Sequence, residues 1–223
     1  MRLAHFSDLH LTINPLKLGL RDWFGKRATG YLNAKTGRKK HFREALPLTQ
    51  ALLQDIKARQ VDHILFTGDA TTLGMPEEFS LVKSVFGDDL PPGLAVPGNH
   101  DLTRPDPGDA AARGFDHYEE DPSLRRAALK RGSSTHKQLE RQFAGYSKWW
   151  KRSILPALEE RKDELQISLH PGVLPGDFLL KLTTGAGLRL GIVGCNSSFL
   201  QQRGGLARLL RPVHVRRRRA QHP

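Results

Sequence analysis

The sequence has one cysteine, Cys195, and no apolar run approaches the roughly 18–20 residues that a membrane-spanning helix needs. A single cysteine cannot form an internal disulfide, which suits a reducing compartment, and we expect Cys195 to be buried because it follows an apolar run. Met1-Arg2-Leu3 leads directly into a strand-like pattern, without the charged, apolar and cleavage regions of a secretory signal. We therefore expect a cytoplasmic protein without a membrane span.

Acidic residues are absent from residues 201–223, which instead carry Arg203, Arg208, Arg211, Arg216, Arg217, Arg218 and Arg219. The whole chain has 35 Lys and Arg against 23 Asp and Glu, a formal net charge of +12. Without these seven arginines the balance is 28 against 23, or +5, so most of the excess is local. The charge does not indicate a domain-wide basic face, and 201–223 is predicted to be a disordered basic extension able to bind nucleic acid.

The length of 223 residues fits one sizeable domain. Short apolar runs predict strands at 3–7, 64–66 and 94–96, and helical spacing predicts helices at 41–56, 77–86 and 138–158. Residues 16–40 have no clear period, whereas 176–182 and 188–198 alternate like paired strands around the 185–187 turn. Strands alternating with helices, followed by a hairpin, indicate a layered α/β domain. In the last helix, Trp149 and Trp150 either pack on the sheet, which we favour, or stack on a nucleic-acid base.

Polar residues follow each of the three predicted strands. They are Asp8 and His10, then Asp69, then Asn99, His100 and Asp101. If β-strand alternation continues, Asp8 and His10 point to the same face, and loops at the carboxyl ends of strands converge in layered α/β folds. Gly68 and Gly98 stand where the backbone must bend without a side chain. Carboxylate, imidazole and amide ligands suit Mn, Fe, Zn or Ni, and the lack of thiolates argues against a structural zinc or iron–sulfur site.

Each of these short motifs, taken alone, also has an ordinary structural interpretation. An Asp-x-His pair taken alone is more often a capping aspartate beside a surface histidine, and Gly-Asp alone is a turn signal. The joint appearance of these residues, in order and each after an apolar strand, favours a metal site.

Three segments carry a family resemblance: "FSDLH", "FTGDATTLG" and "VPGNHD" resemble the first three signature blocks of the calcineurin-like metallophosphoesterases. The resemblance covers roughly Met1 to Phe199, and "FGKRATGYLN" and "GIVGCNSSFLQ" are similar to segments of bacterial members. It implies an α/β fold, a layered α-β-β-α sandwich, with a two-metal site that hydrolyses phosphomonoesters or phosphodiesters. The Asn-His-Asp form, rather than Asn-His-Glu, is closer to the cyclic-nucleotide phosphodiesterase-like members.

The resemblance also implies residue roles. The metal ligands would be Asp8, His10, Asp69 and Asn99, with Asp69 bridging two divalent ions. His100 would contact the phosphate as a general acid or transition-state stabiliser, and Asp101 would orient His100.

The family pattern continues with further histidines, including a closing Gly-His-x-His, that do not occur after "GCNSSFLQ". His170 precedes that strand, so we expect it not to be a ligand, and His214 and His222 lie among arginines. We therefore expect an incomplete domain at 1–200 that lacks its C-terminal strands, and an out-of-frame or disordered tail at 201–223. Catalysis by this chain is then in question. The alternative is a non-catalytic remnant with a basic tail that binds nucleic acid.

Overall fold

The computed structural model describes residues 2–13, 44–87, 93–103, 122–183 and 187–200. The predictions for 16–40, for the 185–186 part of the turn and for the tail at 201–223 lie outside these residues. The strands are β1 (Leu3–Phe6), β2 (His63–Phe66), β3 (Gly93–Ala95), β4 (Ser168–Pro171), β5 (Phe178–Thr183) and β6 (Arg189–Gly194). The helices are α1 (Ala45–Ala58), α2 (Pro76–Phe86), α3 (Pro122–Leu129), α4 (Ser134–Gln142), α5 (Ala144–Trp149), α6 (Leu155–Glu160) and α7 (Lys162–Leu165). A π-helical turn, Trp150–Ile154, joins α5 to α6, and a 3₁₀ helix spans Ser197–Leu200.

The first sheet is parallel, in the order β1-β2-β3, and confirms the three strands predicted from the apolar runs. Leu3 pairs with His63 at one end of β1 and Phe6 pairs with Phe66 at the other. Parallel strands need a crossover between them, and α1 and α2 occupy the two connections. The carboxyl ends of all three strands therefore lie at one edge of this sheet.

Helix α1 confirms the helix predicted at 41–56, as far as the described residues reach. Thr49, Leu53 and Ile56 are buried, whereas Leu48 is 65 % exposed. The i, i+4, i+7 spacing of the buried positions selects Thr49, so the leucine beside it faces solvent.

The second sheet is antiparallel, in the order β4-β5-β6, and its β5–β6 pair confirms the predicted hairpin strands. Phe178, Leu180 and Leu182 alternate along β5 and form its buried face. Strand β4 was not predicted, because the short segment Ser168–Pro171 ends in proline and has no buried residue. Such a sequence is typical of an edge strand, which is recognised as a strand only from its hydrogen bonds to β5.

Both sheets contribute to one apolar core, in which Phe66 and Leu94 from the first sheet join Leu180 and Leu182 from the second. The region predicted as one helix at 138–158 is helical but divides into α4, α5, the π-helical turn and α6. Among the described residues, no helix is long and apolar enough to cross a bilayer.

Aromatic side chains of the α5 region anchor these helices on the first sheet. The Trp149 ring stacks on Phe79 with centroids 5.9 Å apart. The Tyr146 hydroxyl and the Trp150 indole N–H both donate to the Ala95 carbonyl, at 2.6 and 3.0 Å. This confirms the packing interpretation of the tryptophans. The expectation for Cys195 was wrong: it follows β6 and is exposed, because the apolar run ends before it.

Candidate metal centre

Asp8 and His10 lie in the loop after β1 and not on the strand itself. The strand ends at Phe6, and both residues have left-handed backbone angles, with φ of 59° and 47°. The prediction that strand alternation aligns them was therefore wrong in its reason. The two side chains are nevertheless adjacent, because His10 Nε2 lies 3.6 Å from Asp8 Oδ1.

Backbone hydrogen bonds join this first loop to the loop after β2. The Asp8 amide donates to the Gly68 carbonyl and the His10 amide donates to the Asp69 carbonyl, both at 2.9 Å. Further along, the Thr72 hydroxyl donates to the His10 carbonyl at 2.8 Å. The parallel pairing of β1 and β2 thus continues into the loops, and it holds His10 beside Asp69.

Two glycines let the loop after β3 approach the loop after β2. Gly68 has a φ of +105°, and a side-chain carbon there would lie 2.6 Å from the Gly98 amide nitrogen. A side-chain carbon on Gly98 would overlap the Asp69 carboxylate. With both glycines present, Asp69 Oδ1 accepts a 2.8 Å hydrogen bond from the His100 amide. The predicted need for glycine at these positions is confirmed, and its cause is close packing as well as backbone bending.

His10, Asp69 and His100 form a group of potential metal ligands whose nearest ligand atoms all lie within 4.8 Å of one another. His10 Nε2 is 4.0 Å from Asp69 Oδ2, and the two imidazole rings meet edge to face with centroids 4.7 Å apart. The Asp69 side chain is 13 % exposed and that of Asp8, at the rim, is 63 % exposed. Two imidazoles and one carboxylate are a donor set that divalent Mn, Fe, Zn and Ni accept.

The His100 ring is oriented by a backbone carbonyl. Its Nδ1 lies 2.8 Å from the Thr72 oxygen. A carbonyl oxygen can only accept, so Nδ1 carries a proton and donates it to this bond. The Nε2 atom then carries the free lone pair in the neutral ring, and it is the atom that can bind a metal ion or contact a substrate.

Asp101 does not contact the His100 imidazole, which differs from the predicted orienting role. Its carboxylate is 1 % exposed and accepts hydrogen bonds from the amides of Ala70, Thr71 and Gly98, at 3.2, 2.9 and 3.0 Å. The Thr71 hydroxyl is a fourth donor, at 2.9 Å. Asp101 therefore fixes the loops that carry Asp69 and His100 to each other, and it acts on the site through their backbone.

Several carboxylates make the surroundings of the cluster electronegative. Burial raises the pKa of Asp101, and the nearby Asp69 raises it further, against the hydrogen bonds from Gly98 and Thr71. Burial also lowers the pKa of His10, and the His100 ring adds to this, while Asp69 and Asp8 oppose it. Crowded carboxylates beside imidazole nitrogens favour a bound cation, which relieves the repulsion between the acids. The residues therefore fit a divalent metal ion.

Glu78 and the Thr72 carbonyl support the site and were not predicted. Glu78 Oε2 accepts hydrogen bonds from the amides of Leu73 and Met75, at 2.9 and 3.2 Å, where the Asp69 loop enters α2. Burial raises the pKa of Glu78 to about 7. The available signal was a glutamate in the first turn of the helix predicted at 77–86, where a capping carboxylate is common. No signal identifies the carbonyl, because every residue has one.

The remaining predicted residues lie beside the cluster or apart from it. Asn99 is half-buried and directly precedes His100, in the loop that Asp101 holds. His170 is exposed on β4 of the second sheet, where its Nε2 lies 2.8 Å from the Ser168 hydroxyl.

The chain was compared with curated proteins and with protein-family models. No curated protein matches it at a significant level. A family model described as calcineurin-like phosphoesterase matches residues 1–178, a range that includes all three loops and the whole ligand cluster. The chain therefore belongs to the calcineurin-like phosphoesterase family.

Proposed function

We propose that this protein hydrolyses phosphoric esters with two divalent metal ions held at the carboxyl edge of the first sheet. The observation that carries the proposal is the convergence of ligand atoms from His10, Asp69 and His100 within 4.8 Å, on three loops that hydrogen bonds join to one another. Family membership gives the general reaction, metal-dependent cleavage of a phosphoester, and the substrate is not specified by it.

We propose the ligand roles that the family resemblance implies. Asp8 and His10 would hold the first ion, Asp69 would hold both ions and Asn99 would hold the second. Divalent ions in such a site act as Lewis acids on a phosphoryl oxygen and lower the pKa of a water molecule that attacks phosphorus. Asp69 suits the shared position because Oδ1 is held by the His100 amide, which leaves Oδ2 turned toward His10.

His100 would act through Nε2. Its Nδ1 proton remains in the bond to the Thr72 carbonyl, so Nε2 is the nitrogen that a phosphoryl group or its leaving oxygen meets. Removal of this imidazole would lose the bond to the Thr72 carbonyl but keep the bonds between the loops that use the His100 amide and the Asp101 carboxylate. We assign residues 1–200 to this hydrolase unit.

The test is metal-dependent cleavage of bis-p-nitrophenyl phosphate and p-nitrophenyl phosphate, chosen to separate diesterase from monoesterase activity. We expect Asp69→Asn to lower kcat/KM by at least about 100-fold and to reduce the number of Mn²⁺ ions bound per chain from two. The matched control is Asp163→Asn, on the exposed surface of α7.

Activity that persists in a chelator, or that is equal in the Asp69 and Asp163 variants, would contradict the proposal. A protein that binds two Mn²⁺ ions through Asp69 without cleaving either ester would contradict the hydrolytic part alone.

A further inference from the structure

The helical segment 122–152 carries most of the positive charge of the described residues. Its basic residues are Arg125, Arg126, Lys130, Arg131, Lys137, Arg141, Lys148, Lys151 and Arg152, all of them exposed, and its one acidic residue is Glu140. This imbalance of nine to one stands in a chain that is otherwise close to neutral apart from its last residues. The segment therefore needs a physical explanation beyond solubility.

The charges lie on the exposed side of α4, α5 and the π-helical turn, which follow one another with a break at Phe143. The Phe143 amide closes α4 on the Leu139 carbonyl at 3.0 Å, and the Ser147 amide begins α5 on the Phe143 carbonyl at 2.8 Å. We define the basic stripe as five exposed residues: Lys137, Arg141, Lys148, Lys151 and Arg152. The positions between them at 138, 139, 142, 143, 146 and 149 are buried, so the five share the solvent side of these helices. From residue 137 to residue 152 there are 15 steps along the chain, or at most about 22 Å at 1.5 Å per residue.

The opposite side of these helices is fixed in the core. Leu139, Tyr146 and Trp149 are at most 5 % exposed, and Tyr146 and Trp150 bond to the Ala95 carbonyl. The helices therefore cannot rotate to bury the basic stripe. The two tryptophan rings are also engaged in packing, so the stripe has no aromatic platform on which an unpaired base could stack.

A hydrogen bond connects the region of the basic stripe to the loop of the candidate metal centre. The Thr103 amide donates to the Gln142 carbonyl at 2.8 Å, next to Arg141 of the stripe. Thr103 is three residues beyond His100, a path of at most about 11 Å. A long polyanion seated on the stripe would thus pass near the loop that carries His100.

We propose that the basic stripe binds the sugar-phosphate backbone of a nucleic-acid duplex. A duplex presents one phosphate charge per roughly 1.7 Å of axis, so a row of five exposed cations up to about 22 Å long can contact several phosphates without reading bases. An unpaired strand is less suited because no aromatic ring is available. A lipid surface is less suited because Leu129 is the one strongly exposed large apolar side chain of the described segment 122–152. This inference rests on the stripe and not on the proposed hydrolysis.

The experiment measures binding of a fluorescent 20-base-pair duplex by anisotropy, in a chelator so that the metal centre plays no part. The full chain is used with Arg216, Arg217, Arg218 and Arg219 replaced by Gln, which lowers the background from the tail. The test variant is Lys148→Gln with Arg152→Gln, and the matched control is Lys181→Gln with Arg189→Gln. Each pair removes one exposed lysine and one exposed arginine, from the stripe and from the second sheet respectively.

We expect the stripe variant to bind more weakly and its plot of log affinity against log salt to be shallower by about 2, one for each phosphate contact. The control should match the parent. Equal losses in both pairs would mean that net charge alone drives binding and would overturn the proposal, as would no loss in either.

Two further arms use a single strand of the same length and phosphatidylserine vesicles. A stripe-dependent preference for either one over the duplex would also overturn the proposal. Thermal unfolding verifies each variant, and if the stripe pair unfolds early, the single replacements Lys148→Gln and Lys181→Gln give the same comparison.

Discussion

Replacement of Asp101 by asparagine keeps the shape of the side chain and removes its ability to accept at both oxygens. Oδ2 faces the amides of Ala70 and Gly98, and Oδ1 faces the amide and the hydroxyl of Thr71. The new NH₂ group costs least stability at the Oδ1 position, because there the Thr71 hydroxyl can rotate and accept a hydrogen bond from it. At the Oδ2 position it would face two amide donors. The Thr71 amide is then left buried and unpaired, and each of the other bonds loses its charged acceptor.

An unpaired buried donor costs about 1–3 kcal/mol, and hydrogen bonds to a charged group are stronger than neutral ones by roughly 1 kcal/mol. We therefore expect Asp101→Asn to lower the free energy of unfolding by about 3 kcal/mol. Relief of a buried charge acts in the opposite direction, since burial raises the pKa of Asp101, so we take the low end of the summed contributions. Because the same bonds join the ligand loops, Mn²⁺ affinity should fall by about 10-fold or more.

The assay combines urea unfolding of the metal-free protein with Mn²⁺ titration, and the matched control is Asp177→Asn. Asp177 also accepts two backbone amides, from Leu174 at 2.9 Å and from Asn196 at 2.7 Å, but it belongs to the second sheet. We expect the control to lose stability and to keep its metal affinity. If both variants lose metal affinity equally, or if Asp101→Asn loses none, then Asp101 does not position the ligand loops.

Two further perturbations test other parts of the structure. His63 is fully buried, and neither ring nitrogen has a hydrogen-bond partner within the described part of the chain. Burial lowers its pKa from 6.5 to about 4, with Arg161 adding to this, so the unfolded chain binds the extra proton first as the pH falls below 6.5. The stability present at neutral pH should decrease by about 2 kcal/mol between pH 7 and pH 5, and urea unfolding of His63→Leu should not show this part of the loss. Gly98→Ala should displace the Asp69 carboxylate and weaken Mn²⁺ binding at least about 10-fold, whereas Gly191→Ala, with open space around it, should bind as the parent does in the same titration.

The strands of the first sheet could be predicted because each is a short apolar run that ends at polar residues, which is a local pattern. Parallel pairing then brings the three strand ends together. Strand β4 could not be predicted in this way, since Ser168–Pro171 has no fully buried residue and its pairing with β5 is not local. The buried face of α1 has a similar origin, because Leu48 is more apolar than Thr49 and only the position of the sheet decides which of them is covered.

Within the site, the sequence identified the residues that come together better than it identified the supporting contacts. His10 and Asp69, predicted as ligands, and His100, predicted to contact phosphate, form one cluster. The atom that orients His100 belongs to the backbone of Thr72, which composition cannot reveal. The predicted pairing of Asp101 with His100 came from the family resemblance. In the structure Asp101 reaches across to the loop after β2, because a turn directs its side chain back toward Gly98 and Thr71.

The net charge of the chain hides a strongly basic segment, because acidic segments lie on both sides of it. Residues 122–152 have nine basic residues and one acidic residue, but 104–121 have two and six, and 153–166 have two and four. Summed over the chain without its tail, these segments nearly cancel, so the charge indicated no basic face. Helical structure separates these charges by face, because the apolar positions of α4, α5 and the π-helical turn are buried while the five stripe positions are exposed. Charge counted by helix face, across the short break at Phe143, therefore identifies a surface that charge counted by chain length cannot.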